Sequence, residues 1–106
     1  MIPQSTIDEA IRRLVLAYNP LKMYLYGDYA WGTPNEESTY DFLIIIESSN
    51  KQVIERGYTG FEALFGLEIP QNIVVVTQKE FNQYANDPKS DTYEIKTKGK
   101  VLYARG

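Results

Sequence analysis

The stretch "DFLIIIE", Asp41 to Glu47, limits the fold of this chain more than any other. Side chains alternate along a strand, so a strand with one wet face alternates apolar with polar. Here five apolar residues follow one another. Such an isoleucine-rich run predicts a central strand buried on both faces, with helices covering the sheet above and below. Asp41 then sits at the mouth of that strand, where the preceding loop arrives.

The neighbouring segments supply such helices. Ile7, Ile11, Leu14, Val15 and Tyr18 recur at helical spacing, predicting a helix over Thr6–Ala17. Thr6 with Glu9 fits a capping box, and Ser5 with Asp8 is an alternative start. Asn19–Pro20 ends the helix, because a residue before proline avoids helical geometry. Met23–Tyr26 reads as a short strand stopped by Gly27, and Asp28–Gly32 as a turn or a single helical turn. Lys51–Phe65 reads as a second long helix, with Val53, Ile54, Gly57, Tyr58, Phe61, Leu64 and Phe65 along one broad face and Gly66 ending it. Gly57 and Gly60 weaken it by about 1 kcal/mol each relative to alanine, and permit close packing or mark a break. Ile73–Val76 is a third buried strand. Thr77 with Glu80 is a capping box for the next helix, Ser90 caps a short helix through Lys96, and Val101–Tyr103 is a last strand or an extended tail. Strands interleaved with helices predict an α/β (α+β) fold with a small mixed sheet of about 3–5 strands flanked by helices. No linker divides residues 1–106, which read as one domain.

Composition removes several chemistries. The chain has no cysteine and no histidine, so thiolate sites, disulfides and the commonest general base are absent. Catalysis would fall to carboxylates, Lys, Tyr, Ser/Thr or a metal. The net charge of −3 argues against non-specific nucleic-acid binding. Between Lys22 and Glu47, Asp28, Glu36, Glu37, Asp41 and Glu47 face one base; from Lys89 onward the bases lead. The first ten residues have no signal pattern and no apolar run approaches a membrane span, so the protein is expected in the cytoplasm and off the membrane.

The chemistry-bearing residues cluster around the central strand. Gly27 and Gly32 follow a strand and let backbone amides approach an anion. Thr39 and Asp41, two apart, share a face that Leu43 continues inward. Asn72 precedes the third strand much as Asp41 opens the second, and approaches Asp41 if those strands are neighbours. Tyr24, Tyr26, Tyr29 and Trp31 crowd the loop, where they are suited to stacking on a base or meeting a partner; strand alternation places Tyr24 or Tyr26 in the core, and Tyr29 and Trp31 form an aromatic pair better suited to protein contact.

In this order, "GDYAWG", "STYDFLIII", "NIVVVTQKEF" and "YEIKTKGKVLY" resemble the small stand-alone nucleotidyltransferases of the DNA polymerase beta superfamily, of the MNT type. That family has G-S-x-A-x-G after a strand, then [S/T]-D-x-D before an apolar strand, a third acid before a later strand, and a G-K-x-L-Y close. The similarity spans about Leu14 to Tyr103. It implies a nucleotide-binding loop at Gly27, Asp28 and Gly32, with Ala30 also kept. It also implies that Asp28 stands where a serine touches the triphosphate, and that Thr39 and Asn72 stand where two metal-binding aspartates belong. Asp41 keeps the remaining carboxylate.

The departures set the functional expectation. Two divalent ions are held by such carboxylates, and here one of three remains. A single Mg²⁺ carried in by an NTP could bind Asp41, with Asp28 as a second candidate ligand. An Asp28 carboxylate 4 Å from a phosphate charge costs on the order of 4 kcal/mol at an effective dielectric near 20. The expectation is a catalytically impaired protein with weak or absent Mg²⁺ binding that works by binding a partner. The resemblance implies a helical HEPN-type partner in an antitoxin-like role. The alternative is an active Mg²⁺-dependent enzyme that moves an NMP group from an NTP to a hydroxyl acceptor at a rearranged site around Asp28 and Asp41.

Overall fold

The computed structural model describes residues 2–105. A four-stranded sheet carries helices on both faces. The elements are α1 (Gln4–Tyr18), β1 (Lys22–Tyr26), α2 (Asp28–Trp31), β2 (Tyr40–Ile46), α3 (Val53–Ala63), β3 (Gln71–Thr77), α4 (Gln78–Tyr84), α5 (Asp91–Lys98) and β4 (Lys100–Ala104). The strand order is β3-β2-β1-β4. β1 is antiparallel to β2 and β4, whereas β2 and β3 are parallel. The sheet is therefore mixed, and the "DFLIIIE" strand is internal.

Period-two alternation divides β2 between two cores. Phe42 and Ile44 meet Ile7, Ala10 and Leu14 of α1 on one face. Leu43 and Ile45 meet Phe81, Ala85 and Ile95 of the α4–α5 side on the other, where Tyr24 stacks on Phe81. Phe42, Ile44 and Ile45 are essentially inaccessible to water. A helix on each face explains why the strand does not alternate.

Local sequence signals set some helix ends and not others. α4 begins with the expected capping box: Thr77 Oγ1 accepts from the Glu80 N–H, and Glu80 Oε1 accepts from the Thr77 N–H. Ser90 caps α5, which runs to Lys98, and the last segment forms strand β4. The proposed caps of α1 do not form. That helix starts at Gln4 after Pro3, with no side-chain cap. Glu9 is drawn into the helix to bind Arg12 and Arg13 at 2.7 and 2.8 Å, and Asp8 accepts from Gln4. Proline at the entry sets its φ near the helical value without needing a cap.

The largest departure is α3. Its inward residues are Arg56 and Gly60, followed by Leu64. The expected apolar face points to solvent at Val53, Ile54, Tyr58, Phe61 and Phe65. Close packing explains the inversion. A Cβ on Gly60 would lie 2.9 Å from Ile73 Cδ1 and 3.0 Å from the Tyr18 hydroxyl, and one on Gly57 would lie 3.2 Å from the Ile73 carbonyl oxygen. The Tyr18 hydroxyl accepts from the Gly60 N–H and donates to the Arg56 carbonyl, the two groups that a regular helix would join. The small residues thus let α3 settle on β3, and the bulky ones are left outside.

Arg56 is buried because the sheet edge needs it. Tyr40 N–H donates to the Pro70 carbonyl, so the odd-numbered residues of β3 turn their backbone groups away from β2. Arg56 donates to the exposed-edge carbonyl of Val75 at 3.3 Å and to the Lys51 carbonyl at 3.0 Å. It also grips both carboxylate oxygens of Glu80, at 2.6 and 3.2 Å. The clamp closes one part of an edge that carries no proline, lysine or bulge of its own.

These bonds hold the Glu80 carboxyl at about 2, chiefly through the Arg56 guanidinium and then the Thr77 N–H. The folded value lies below the ordinary 4.5, so the charged form is favoured by folding. Its stabilisation is full above about pH 4.5 and is lost as pH falls towards 2. Glu9, held down to about 2 by Arg12 and Arg13, titrates in the same window. Urea unfolding of the wild type is expected to weaken from pH 4.5 downward, and the Glu80→Gln protein to show a shallower decline. Parallel slopes would show that the clamp does not carry the acid sensitivity.

Candidate functional site

The site is built where β1 ends, the loop crosses, and β2 begins. Tyr26 pairs with Asp41 across the β1–β2 ladder, and Asp41 pairs with Asn72 across the β2–β3 ladder. Three strands therefore bring Tyr26, Asp41 and Asn72 side by side. Asn72 lies within β3 and not just before it, because that strand begins at Gln71. Thr39 joins them: its hydroxyl donates to Asp41 Oδ1 at 2.6 Å. Asn72 Nδ2 reaches the Tyr26 hydroxyl at 3.5 Å, a long contact.

Gly27 forms the floor. Its backbone has φ 75° and ψ −152°, a conformation open essentially to glycine alone. A Cβ there would stand 2.3 Å from Asp41 Oδ2. The Asp41 carboxylate is thus held on one oxygen by Thr39 and lies with the other against the Gly27 backbone. The glycine that resemblance assigns to a phosphate cradle makes room here for a carboxylate of the protein itself.

Asp28 goes elsewhere. Its Oδ2 accepts from the Ser38 hydroxyl at 2.7 Å, and its Oδ1 would be 3.0 Å from a Cβ on Gly32. Asp28 and Gly32 close the short helix α2 onto the following loop, where Ser38 also accepts from the Asn35 N–H. Each acid at the site therefore has its own hydroxyl donor, Ser38 for Asp28 and Thr39 for Asp41. Ser38 has a sequence signal only in retrospect: it precedes Thr39 in "ESTYD" and is one of the few buried polar residues.

The aromatics separate as well. Tyr29 stacks on Tyr40 with ring centroids 3.9 Å apart and packs against the α1-side core, so it is not a free contact residue. Trp31 remains partly exposed and lines a cavity of about 330 Å³ with Tyr26, Leu43, Val74, Asp91 and Glu94. Burial pushes the Tyr26 hydroxyl up to about 12, with further contributions from the Asp41 and Asp91 carboxylates. Asp91 is a site neighbour that the sequence did not reveal, since it reaches the sheet only through the packing of α5. Among the described residues, no three Asp, Glu, His or Cys side chains gather as a metal-holding group.

No family model and no curated protein sequence matches the chain. Among solved structures, the crystal structure of a proposed nucleotidyltransferase from Sulfolobus solfataricus is similar over 97% of this chain and 90% of that one. The TM-score is 0.56 and the sequence identity 20%. The chain has a nucleotidyltransferase-like fold. At that identity the likeness concerns the fold alone. Among the described residues, no helix is long and apolar enough to cross a membrane.

Proposed function

We propose that this nucleotidyltransferase-fold protein is catalytically impaired and acts by binding a partner protein. The observation that carries the reading is the state of Asp41. It is the one carboxylate among Thr39, Asp41 and Asn72, and its two oxygens are engaged by Thr39 and packed on Gly27. The donor set brings one negative charge where a two-ion centre needs several, so it does not fit a pair of Mg²⁺ ions. Asp28 Oδ2 already accepts from Ser38, so a metal ion held there would compete with that hydrogen bond for the carboxylate. A helical HEPN-type partner in an antitoxin-like pairing, in the cytoplasm, is the form of binding that the sequence resemblance supports.

The test is calorimetry with Mg·ATP and Mg·GTP on the wild type and Asp41→Asn. The expected result is no heat of binding at millimolar nucleotide for either protein. Saturable binding that disappears in Asp41→Asn, together with transfer of an NMP group to a hydroxyl acceptor, would establish the enzyme reading instead.

A further inference from the structure

Ile54, Tyr58, Phe61 and Phe65 are 77%, 62%, 61% and 79% exposed. Their spacing of four, three and four residues places them in one stripe along α3 and the turn after it. An unbroken line of large apolar side chains on the solvent side of a helix marks an interaction surface. It cannot be spare core, since the side of α3 that faces the sheet is already packed through Gly57, Gly60 and Arg56.

Two further features identify the occupant. Between the stripe and edge strand β3 lies a groove of about 350 Å³ with Gly57, Gln71, Asn72 and Ile73 in its walls. At 100° per residue, Glu55 and Glu62 fall about 70–90° round the helix from the centre of the stripe, on the flank away from Gly57, and both are exposed. The only base on α3, Arg56, is turned inward onto Glu80.

We infer that the α3 stripe docks an amphipathic helix of a different protein, with an apolar seam flanked by Lys or Arg. The inference rests on the partner-binding reading above and names its surface. An apolar seam in the groove covers Ile54, Tyr58 and Phe61. Basic residues on its edge meet Glu55 and Glu62. A second copy of this chain fits less well. A two-fold axis that packs α3 antiparallel on α3 sets Glu55 and Glu62 against the same residues, and like charges across an interface are repelled. Anionic lipid is disfavoured for the same reason.

The probes are two synthetic helical peptides with the same leucine seam, one flanked by lysines and the other by glutamates. Each is titrated with the full chain and followed by fluorescence anisotropy. The lysine peptide is expected to bind about tenfold or more tightly than the glutamate peptide, with the difference shrinking as salt is added. The doubly substituted Ile54→Glu/Phe61→Glu protein is expected to lose about tenfold in affinity. Glu55→Lys/Glu62→Lys is expected to reverse the preference. All four positions are exposed, so circular dichroism should be unchanged. Equal affinity for the two peptides, or binding indifferent to Ile54→Glu/Phe61→Glu, would overturn the docking surface. So would sedimentation showing a wild-type dimer that the same double substitution dissolves, because the occupant would then be a second copy. None of these results bears on nucleotide transfer, which the calorimetry decides separately.

Discussion

Replacing Glu80 with alanine is expected to destabilise the fold by about 1.5–3 kcal/mol, the range for losing hydrogen bonds to a charged group at a half-buried site. The reason is the asymmetry of the pair. The Arg56 side chain is 7% exposed and that of Glu80 is 38% exposed. Without Glu80, the guanidinium is left charged inside the protein with only the Lys51 and Val75 carbonyls as acceptors. The Thr77 N–H also loses its acceptor at the start of α4. Removing the other partner is milder when its volume is kept. Arg56→Met takes the charge away and leaves a carboxylate that water can reach, so its cost is expected to stay below about 2 kcal/mol. Denaturant unfolding of both variants and of the double mutant Arg56→Met/Glu80→Ala checks the point. The double mutant should be more stable than Glu80→Ala alone. If Arg56→Met proves the costlier single change, the edge carbonyl of Val75 and the packing of Arg56 outweigh the charge.

Gly27→Ala is the second large effect. The backbone conformation at φ 75° and ψ −152° costs a residue with a Cβ about 1–3 kcal/mol. The new methyl group also meets Asp41 Oδ2 at 2.3 Å, which forces the carboxylate off its position and away from the Thr39 hydroxyl. The two contributions separate in an Asp41→Ala background, where the clash is gone and the backbone cost remains. Thermal unfolding of the four proteins is expected to show a Gly27→Ala penalty that shrinks without vanishing when Asp41 is absent. A penalty of the same size in both backgrounds would mean that Asp41 does not depend on the space over Gly27.

Both effects belong to residues whose roles were unevenly legible. Gly27 stands out in the sequence as a break after a strand, and its position after β1 is local information. The sequence offers phosphate as the reason for it; the structure shows Asp41 in that space. Thr39 and Asp41 were readable as sharing a face because strand alternation is local. Asn72 was readable only conditionally, since its place beside Asp41 depends on β3 lying parallel to β2 in register. Asp28 could not be assigned from its motif position, because the Ser38 hydroxyl comes from the far side of the loop.

The same division holds for the helices. The capping box at Thr77–Glu80 depends on residues three apart, and it forms as its spacing indicates. The analogous pair Thr6–Glu9 fails because Arg12 and Arg13 compete for Glu9 within the same helix. Glu80 also shows that a local signal can have a distant use: one carboxylate both caps α4 and holds Arg56 of α3.

The sequence by itself determined that the apolar run Phe42–Ile46 is an inner strand with helices on both faces; the structure begins that strand at Tyr40 and ends it before Glu47. Five consecutive apolar residues demand burial on all sides, and the shortness of the run with its three β-branched isoleucines favours a strand over a buried helix. The sequence also determined that α3 carries a helical apolar stripe. Only the tertiary structure decided which way the stripe faces. Periodicity records that apolar residues lie on one side of a helix and is blind to the direction of that side. The direction is set by which surface approaches the sheet more closely. Here Gly57, Gly60 and the Arg56 clamp approach β3 closely enough to turn Ile54, Tyr58, Phe61 and Phe65 towards solvent.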